Sequence, residues 1–369
     1  MNLKRSRQYE NYMKEAIRLA KKAKGDTHPN PCVGAVVVKK GKIISRGFHK
    51  KAGLPHAEVE ALNKAGKKAR GAMLFVTLEP CSTYGKTPPC TDKIIESGIK
   101  EVIIGTLDPN PKNRKKGIKK LKKNGIKVIT GILKKQAEEL NEDFAVFIRK
   151  KRPFVTLKAA QSLDGKIATY KKDSKWISSL ESRRYVHRLR ALHDAVLVGI
   201  QTVIEDDPQL NVRLYKSYRK QPKRIILDSS LRIPLKSKVL SNLKDKKTII
   251  ATTKYAPLKK IKKLTNLGAT VLKVRSKDKR VNLKALLEKL ADMDIVSLLV
   301  EGGLQVFTSF INQHLADRLI VVISPKLIGG KEAFSFYEGK GIRKIKNSMK
   351  LRDIKYRESG PDLIIEGYF

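Results

Sequence analysis

His56-Ala57-Glu58-Val59 opens a short stretch with helical spacing, and Met73-Leu74-Phe75-Val76-Thr77 follows as an apolar run with Pro80-Cys81 close behind. Four apolar residues and a threonine in a row suit a strand buried on both faces better than a helix. The reading is therefore a helix from about Ala57 to Ala65, a strand Met73–Thr77 and a helix from Thr91 to Ser97. The same alternation extends outward. Gln8–Lys24 carries Tyr9, Met13, Ala16, Ile17 and Ala20 on one helical face. Strands Val33–Val38 and Ile43–Gly47 form a hairpin around Gly41. Downstream come a strand Glu101–Gly105, a helix Ile118–Asn124, a strand Lys127–Thr130 and a helix Lys134–Ile148. Strands alternating with helices predict an α/β sandwich whose sheet is largely parallel after the opening hairpin.

Lys150-Lys151-Arg152-Pro153 ends that series, because Pro153 cannot continue a helix. A second α/β unit starts at Phe154–Ala159. It continues with a helix Leu180–Leu192, strands Ala195–Val198, Arg224–Asp228 and Lys247–Thr252, and a helix Leu283–Ala291. A strand Val296–Val300 then feeds Glu301-Gly302-Gly303 and a helix to about Gln313, with strands Arg318–Ile323 and Asp362–Gly367 closing the unit. The division predicts domains at 1–149 and 150–369, with no internal repeat.

The 369 residues are 41% hydrophobic and 31% charged, a globular balance. No apolar run could cross a bilayer, and no apolar segment follows the basic N-terminus as in a signal peptide. Three cysteines make no disulfide framework, which predicts a cytoplasmic protein. A net charge of +45, from 80 Lys+Arg against 35 Asp+Glu, would attract nucleic acid or phosphorylated ligands. The basic residues are spread at similar density over both halves and are mostly Lys. That distribution predicts a solvated Lys-rich surface rather than a nucleic-acid partner.

One imidazole and two thiolates, His56, Cys81 and Cys90, make a zinc set of three protein ligands, leaving a fourth position for water. An open position marks a catalytic metal. Glu58, two residues past His56, can reach that water without ligating the metal and would carry its proton to a leaving amine. This pattern is that of the zinc deaminases of nucleobases, except that eight residues rather than two separate the cysteines. Cys32 lacks a ligand context and reads as a buried small residue.

Five motifs in order now carry a family resemblance: Thr27-His28-Pro29-Asn30-Pro31-Cys32-Val33-Gly34, His56-Ala57-Glu58-Val59, Thr77-Leu78-Glu79-Pro80-Cys81-Ser82, Gly85-Lys86-Thr87-Pro88-Pro89-Cys90 and Asp108-Pro109-Asn110-Pro111. Together they resemble the bifunctional deaminase–reductases of riboflavin biosynthesis, a family with this long Cys–Cys loop. The resemblance implies a cytidine-deaminase-like α/β/α sandwich followed by a dihydrofolate-reductase-like α/β domain. It implies one zinc per chain on His56, Cys81 and Cys90, with Glu58 as proton shuttle. It further implies pyrimidine or ribose phosphate contacts at Asn30, His49, Lys86, Asp108 and Asn110. Thr83 and Lys115 depart from the family pattern, which usually has His and Gly there.

The second half has no G-x-G-x-x-G fingerprint. Glu301-Gly302-Gly303 before a helix offers only a close backbone approach and free N–H donors. The resemblance continues through Phe154–Lys158, Ser162–Ala168, Trp176-Ile177-Ser178, Asp206-Asp207-Pro208 and Leu210-Asn211-Val212-Arg213. It implies NADPH near Ala160, Trp176, Thr202, Asp206, Ser229 and the Gly303–Ser309 turn. The ribosyl phosphate is implied near Ser174, Arg190, Leu210, Arg213 and Glu301, with Lys158 and Asp164 at the reacting end. The implied reactions are deamination of 2,5-diamino-6-(5-phosphoribosylamino)pyrimidin-4(3H)-one and then reduction of its ribosyl group to ribityl. Two rival readings are an RNA or cytidine deaminase with an appended domain, and a basic RNA-binding protein with structural zinc. A homo-oligomer is left open.

Overall fold

The computed structural model describes residues 3–84, 88–215, 220–339 and 341–369. The chain divides into two compact units, Met1–Lys151 and Arg152–Phe369.

The first unit runs α1 (Leu3–Lys21), β1 (Gly34–Lys39), β2 (Lys42–Phe48), α2 (Ala57–Ala65), β3 (Met73–Leu78), α3 (Cys90–Glu96), β4 (Glu101–Thr106), α4 (Lys116–Lys123), β5 (Lys127–Thr130), α5 (Lys134–Leu140) and α6 (Glu142–Lys150). Its sheet has the order β2-β1-β3-β4-β5. The first three strands pair antiparallel and the last two pairings are parallel. Tyr9, Met13 and Ile17 of α1 pack with Phe75 and Ile103 on one face of the sheet. Ala61 and Leu62 of α2, Ile94 of α3 and Leu121 of α4 pack with Leu74, Val76 and Ile104 on the other. The apolar run of β3 is thus buried from both sides, as its lack of alternation requires.

The predicted helix Lys134–Ile148 is two helices. Asn141 leaves helical geometry between α5 and α6, at φ −126° and ψ 27°. Its buried amide accepts from the Cys32 N–H at 2.7 Å and donates to the Cys32 carbonyl at 2.9 Å. A distant backbone that needs both bonds overrides the local helical pattern.

The second unit runs β6 (Phe154–Ser162), α7 (Leu180–Leu192), β7 (Ala195–Gly199), α8 (Ile200–Asp206), β8 (Lys223–Leu227), β9 (Thr248–Thr252), α9 (Leu258–Asn266), β10 (Thr270–Lys273), β11 (Ser276–Lys277), β12 (Arg280–Val281), α10 (Leu283–Asp292), β13 (Ser297–Gly302), α11 (Leu304–Asn312), β14 (Arg318–Ser324), β15 (Arg352–Ser359) and β16 (Asp362–Tyr368). Nine strands order as β10-β9-β8-β7-β13-β6-β14-β16-β15. Every pairing from β10 to β14 is parallel, and the C-terminal hairpin adds an antiparallel edge. Arg152 clamps the entrance to β6: its guanidinium binds both Asp317 oxygens at 2.6 and 2.7 Å. Asp317 also accepts from the Val155 N–H.

The sequence reading passed over α8, α9, β10, the β11–β12 hairpin and β15. The reason is visible in α9 and β15. Only Leu264 of α9 is buried, and β15 is exposed almost throughout, so neither adds a run of core residues. Among the described residues no helix is long and apolar enough to cross a membrane.

Close packing of β2 on α2 depends on Gly47. A Cβ there would lie 2.3 Å from the Ala57 carbonyl oxygen and 2.5 Å from the Ala61 nitrogen. Since α2 follows directly on His56 and carries Glu58, this contact also sets the position of the site. Gly47→Ala is expected to destabilise the protein by about 1–3 kcal/mol in urea denaturation, the usual cost of overpacking.

Candidate active sites

At the metal site three elements meet. His56 is the N-cap of α2, Cys81 lies three residues beyond β3, and Cys90 is the first residue of α3. His56 Nδ1 lies 3.1 Å from Cys90 Sγ and 3.6 Å from Cys81 Sγ, and one ligand atom from each lies within 4.8 Å of the others. Zinc bonds of about 2.0 Å to nitrogen and 2.3 Å to sulfur give a tetrahedron with edges near 3.5–3.8 Å, so these atoms fit the ion. Among the described residues this is the one such group. Hydrogen bonding from Cys90 and the neighbouring His56 pull the Cys81 thiol down, while the bond to Cys81 and burial push Cys90 up. The bond to Cys81 raises His56.

Glu58 is 3% exposed, and burial pushes its carboxyl up to about 7. His49 is buried with its ring 5.2 Å from that of His56. It contacts Asn30 Nδ2 at 3.2 Å through Nε2 and the Pro55 carbonyl at 3.1 Å through Nδ1. The structure therefore brings Asn30 and His49 to the ligand set. Lys86 lies outside the described residues. Cys32 is buried, as read, with Thr27 Oγ1 at 3.3 Å.

Asp108 and Asn110 are held through a residue that the sequence reading missed. Asn113 accepts from both the N–H and the hydroxyl of Ser82, directly after Cys81, and donates to Asp108 Oδ2 at 2.8 Å. Asp108 Oδ1 accepts from the Asn110 N–H. Burial raises the Asp108 carboxyl. Glu79 is buried beneath this loop and accepts backbone N–H groups of Asp108, Lys115 and Ile118. It thereby fixes the start of α4 against the segment that carries Cys81. No local pattern marks Asn113, whose partners are 31 and 5 residues away.

In the second unit a cavity of about 1540 Å³ is lined by Ala160, Trp176, Thr202, Asp206, Ser229 and Gly303, and equally by Lys158, Ser174, Arg190, Leu210, Arg213 and Glu301. These twelve of the residues predicted in this half therefore share one space, large enough for a dinucleotide and a second ligand. Asp164 is not among its lining residues. It accepts from the N–H groups of Ile328 and Gly329 and from the Ser162 hydroxyl, which hold its carboxyl at about 2.

Glycine is required where α11 begins. Gly303 has φ +94°, and a Cβ on Gly199 would meet Val306 at 2.9 Å. Trp176 is 56% exposed rather than core, with the Arg183 guanidinium 4.2 Å above its ring. Ser174 bonds Asp206, and Ser229 Oγ accepts from the Val281 N–H, joining β8 to the β11–β12 hairpin. Deeper in the cavity Arg190 and Glu301 form a bidentate pair at 2.6 and 2.8 Å. Against burial, the Arg190 charge keeps the Glu301 carboxyl low. Burial lowers the Lys158 ammonium beside them.

A His–Cys–Cys metal set beside a buried glutamate, and a doubly wound sheet with a dinucleotide-sized cavity, define a two-domain enzyme that pairs a zinc deaminase with a reductase. Family comparison agrees. Residues 6–106 match the cytidine and deoxycytidylate deaminase zinc-binding region, and residues 153–365 match the RibD C-terminal domain. The riboflavin biosynthesis protein RibD of Aquifex aeolicus is 52% identical over 96% of this chain and 97% of its own. That of Escherichia coli is 36% identical, over 97% and 98%. Among solved structures, Acinetobacter baumannii RibD superposes with a TM-score of 0.88 at 36% identity, covering 98% of this chain and 99% of that one. A Thermotoga maritima diaminohydroxyphosphoribosylaminopyrimidine deaminase/5-amino-6-(5-phosphoribosylamino)uracil reductase does so at 0.83 and 41%, covering 99% of both. The chain belongs to the RibD family, the bifunctional deaminase–reductases of riboflavin biosynthesis, which use zinc in the first domain and NADPH in the second.

Lys115, where the family pattern usually has Gly, precedes α4 at φ 64° and ψ −5°. Left-handed backbone costs a residue with a Cβ about 1–2 kcal/mol. Lys115→Gly is therefore expected to raise stability by about 1 kcal/mol in urea denaturation, with zinc content unchanged.

Proposed function

We propose that residues 1–149 deaminate the phosphoribosylated diaminopyrimidine and that residues 150–369 reduce the ribosyl group of the resulting aminouracil to ribityl. The observation that carries this reading is the coexistence in one chain of the His56–Cys81–Cys90 set with Glu58 and the 1540 Å³ cavity around Lys158 and Glu301. RNA deamination and structural zinc in an RNA-binding protein leave that second cavity without a role.

His56, Cys81 and Cys90 would hold the zinc, which when bound supplies Lewis-acid activation of the attacking water. Glu58 stands on the first turn of α2, two residues from His56, and would take a proton on its carboxylate and hand it to the departing ammonia. His49 and Asn30, joined to each other beside His56, would bind the pyrimidine together with Asp108 and Asn110. By family resemblance Lys86 would join them as a contact to the pyrimidine or its ribose phosphate.

In the second unit Ala160, Trp176, Thr202, Asp206, Ser229 and Gly303 would bind NADPH, which supplies the hydride. Lys158 lies beside Glu301 at the buried end of the cavity. It would hold a ribose oxygen as the ring opens and C1′, bound to nitrogen as an imine, is reduced. Ser174, Arg190, Leu210, Arg213 and Glu301 would frame the rest of the substrate. A cytoplasmic location accords with the three free cysteines.

Separate feeding of each substrate tests the division. Glu58→Gln keeps the side chain's size but removes the carboxylate, so it is expected to abolish ammonia release while NADPH oxidation with the preformed aminouracil persists. Lys158→Ala should do the converse and let the aminouracil accumulate. Loss of both activities in folded Glu58→Gln protein would show that one shared site does both. Cys81→Ala is expected to lose the bound zinc, measured by atomic absorption, together with deamination.

A further inference from the structure

The ribosyl phosphate brings a dianion into the reductase cavity, and the charges that would meet it can be counted. Arg190 is already balanced. Its Nε and Nη2 bind both oxygens of Glu301, and Nη1 donates to the Asn211 carbonyl at 3.0 Å. Three of its five donors are spent on the protein, and the charge of the pair is near zero. Arg213 differs, because its side-chain bond goes to the neutral Asn211 Oδ1 at 3.1 Å. Of the two arginines that the family resemblance places at the phosphate, one is therefore left to face a doubly charged group.

A second basic side chain lies on the same wall. Arg183, His187 and Arg190 are at i, i+4 and i+7 of α7, which places them on one helical face, and all three line the cavity. That face grips the segment around Arg213 at two points. His187 Nδ1 accepts from the Arg213 N–H at 3.1 Å, and Arg190 donates to Asn211. His187 is buried, and burial together with Arg190 and Arg213 holds it down to about 4, so it remains a neutral acceptor. One turn before it, Arg183 is half-buried and stacked on Trp176, yet pairs with no carboxylate among the described residues. Its Nε is buried and has no hydrogen-bond partner among the described residues. Arg183 acts on Arg213: after burial, the charges of Arg190 and Arg183 lower the Arg213 guanidinium. Two cations lining one cavity, neither paired with a carboxylate among the described residues, form a site for an anion.

We propose that Arg183 is the second guanidinium of the phosphate clamp, closing with Arg213 on the ribosyl phosphate of the reductase substrate. The proposal rests on the reductase reading above. It assigns Arg183 a ligand contact in addition to its stacking on Trp176. His187 is a positioning residue that seats the Arg213 backbone.

Arg183→Met keeps much of the apolar stem and removes the charge. The test measures KM for the phosphorylated aminouracil, KM for its dephosphorylated counterpart, the Kd of NADPH by fluorescence and inhibition by inorganic phosphate. The variant is expected to raise KM for the phosphorylated compound roughly ten- to hundredfold, the scale of a lost charge-assisted contact. Values for the dephosphorylated compound and for NADPH should stay within twofold of wild type. Inorganic phosphate should inhibit less, and Arg183→Lys should recover part of the loss. An unchanged KM, an equal rise with both substrates, or a rise only in the NADPH Kd would overturn the clamp, the last leaving Arg183 as a support for Trp176 alone. Wild-type protein that oxidises no NADPH with either substrate would instead overturn the reductase reading, and the clamp would fall with it.

Discussion

In a parallel sheet every strand enters from the same side, so each crossover returns behind the sheet and all strand ends open along one edge. Both units of this protein depend on that constraint. In the first, β3 delivers Glu79, Pro80 and Cys81 beyond its end while neighbouring β4 delivers Asp108. In the second, β13 ends on Glu301 and Gly302 between β7, which ends on Gly199, and β6, which carries Lys158 and Ala160. Cys81, Asp108, Lys158 and Glu301 are thus placed by strands or their ends, while His56, Glu58 and Cys90 stand at the starts of α2 and α3.

The two units tie their loops in different ways. Around the metal set the fastening is by buried amide and carboxylate groups that accept backbone N–H bonds. Glu79 holds the start of α4, Asn113 holds the segment after Cys81, and Asn141 holds Cys32. Each such bond would leave an orphaned buried N–H if its partner were removed. In the cavity of the second unit the fastening is ionic. The Arg190–Glu301 pair is nearly out of water, so its net worth depends on the hydrogen bonds that complete it, here the one to Asn211. That pair fixes the cavity wall without adding net charge to it.

Backbone geometry adds a second layer of constraint. Gly47 and Gly199 sit where a helix presses on a strand end, and Gly303 turns the chain into α11. Lys115 shows the opposite case. A lysine there takes up left-handed geometry because Glu79 accepts its N–H at 3.0 Å and holds the turn in place.

The sequence by itself determined a good deal. The apolar run of β3, the helix from Ala57 to Ala65 and the break at Pro153 follow from local periodicity and from proline's missing N–H. His56, Glu58, Cys81 and Cys90 were legible because few residue types bind zinc and their order is specific. The second cavity was legible only through family resemblance, since its glycines and arginines carry no signature alone. Tertiary structure decided the rest. It split the predicted last helix of the first unit at Asn141, turned Asp164 toward the Ile328–Gly329 backbone, and paired Arg190 with Glu301, 111 residues away. It also placed Arg183, His187 and Arg213 on one wall. Such outcomes are set by which distant polar group finds which partner when water is excluded, and no local pattern in the chain encodes that choice.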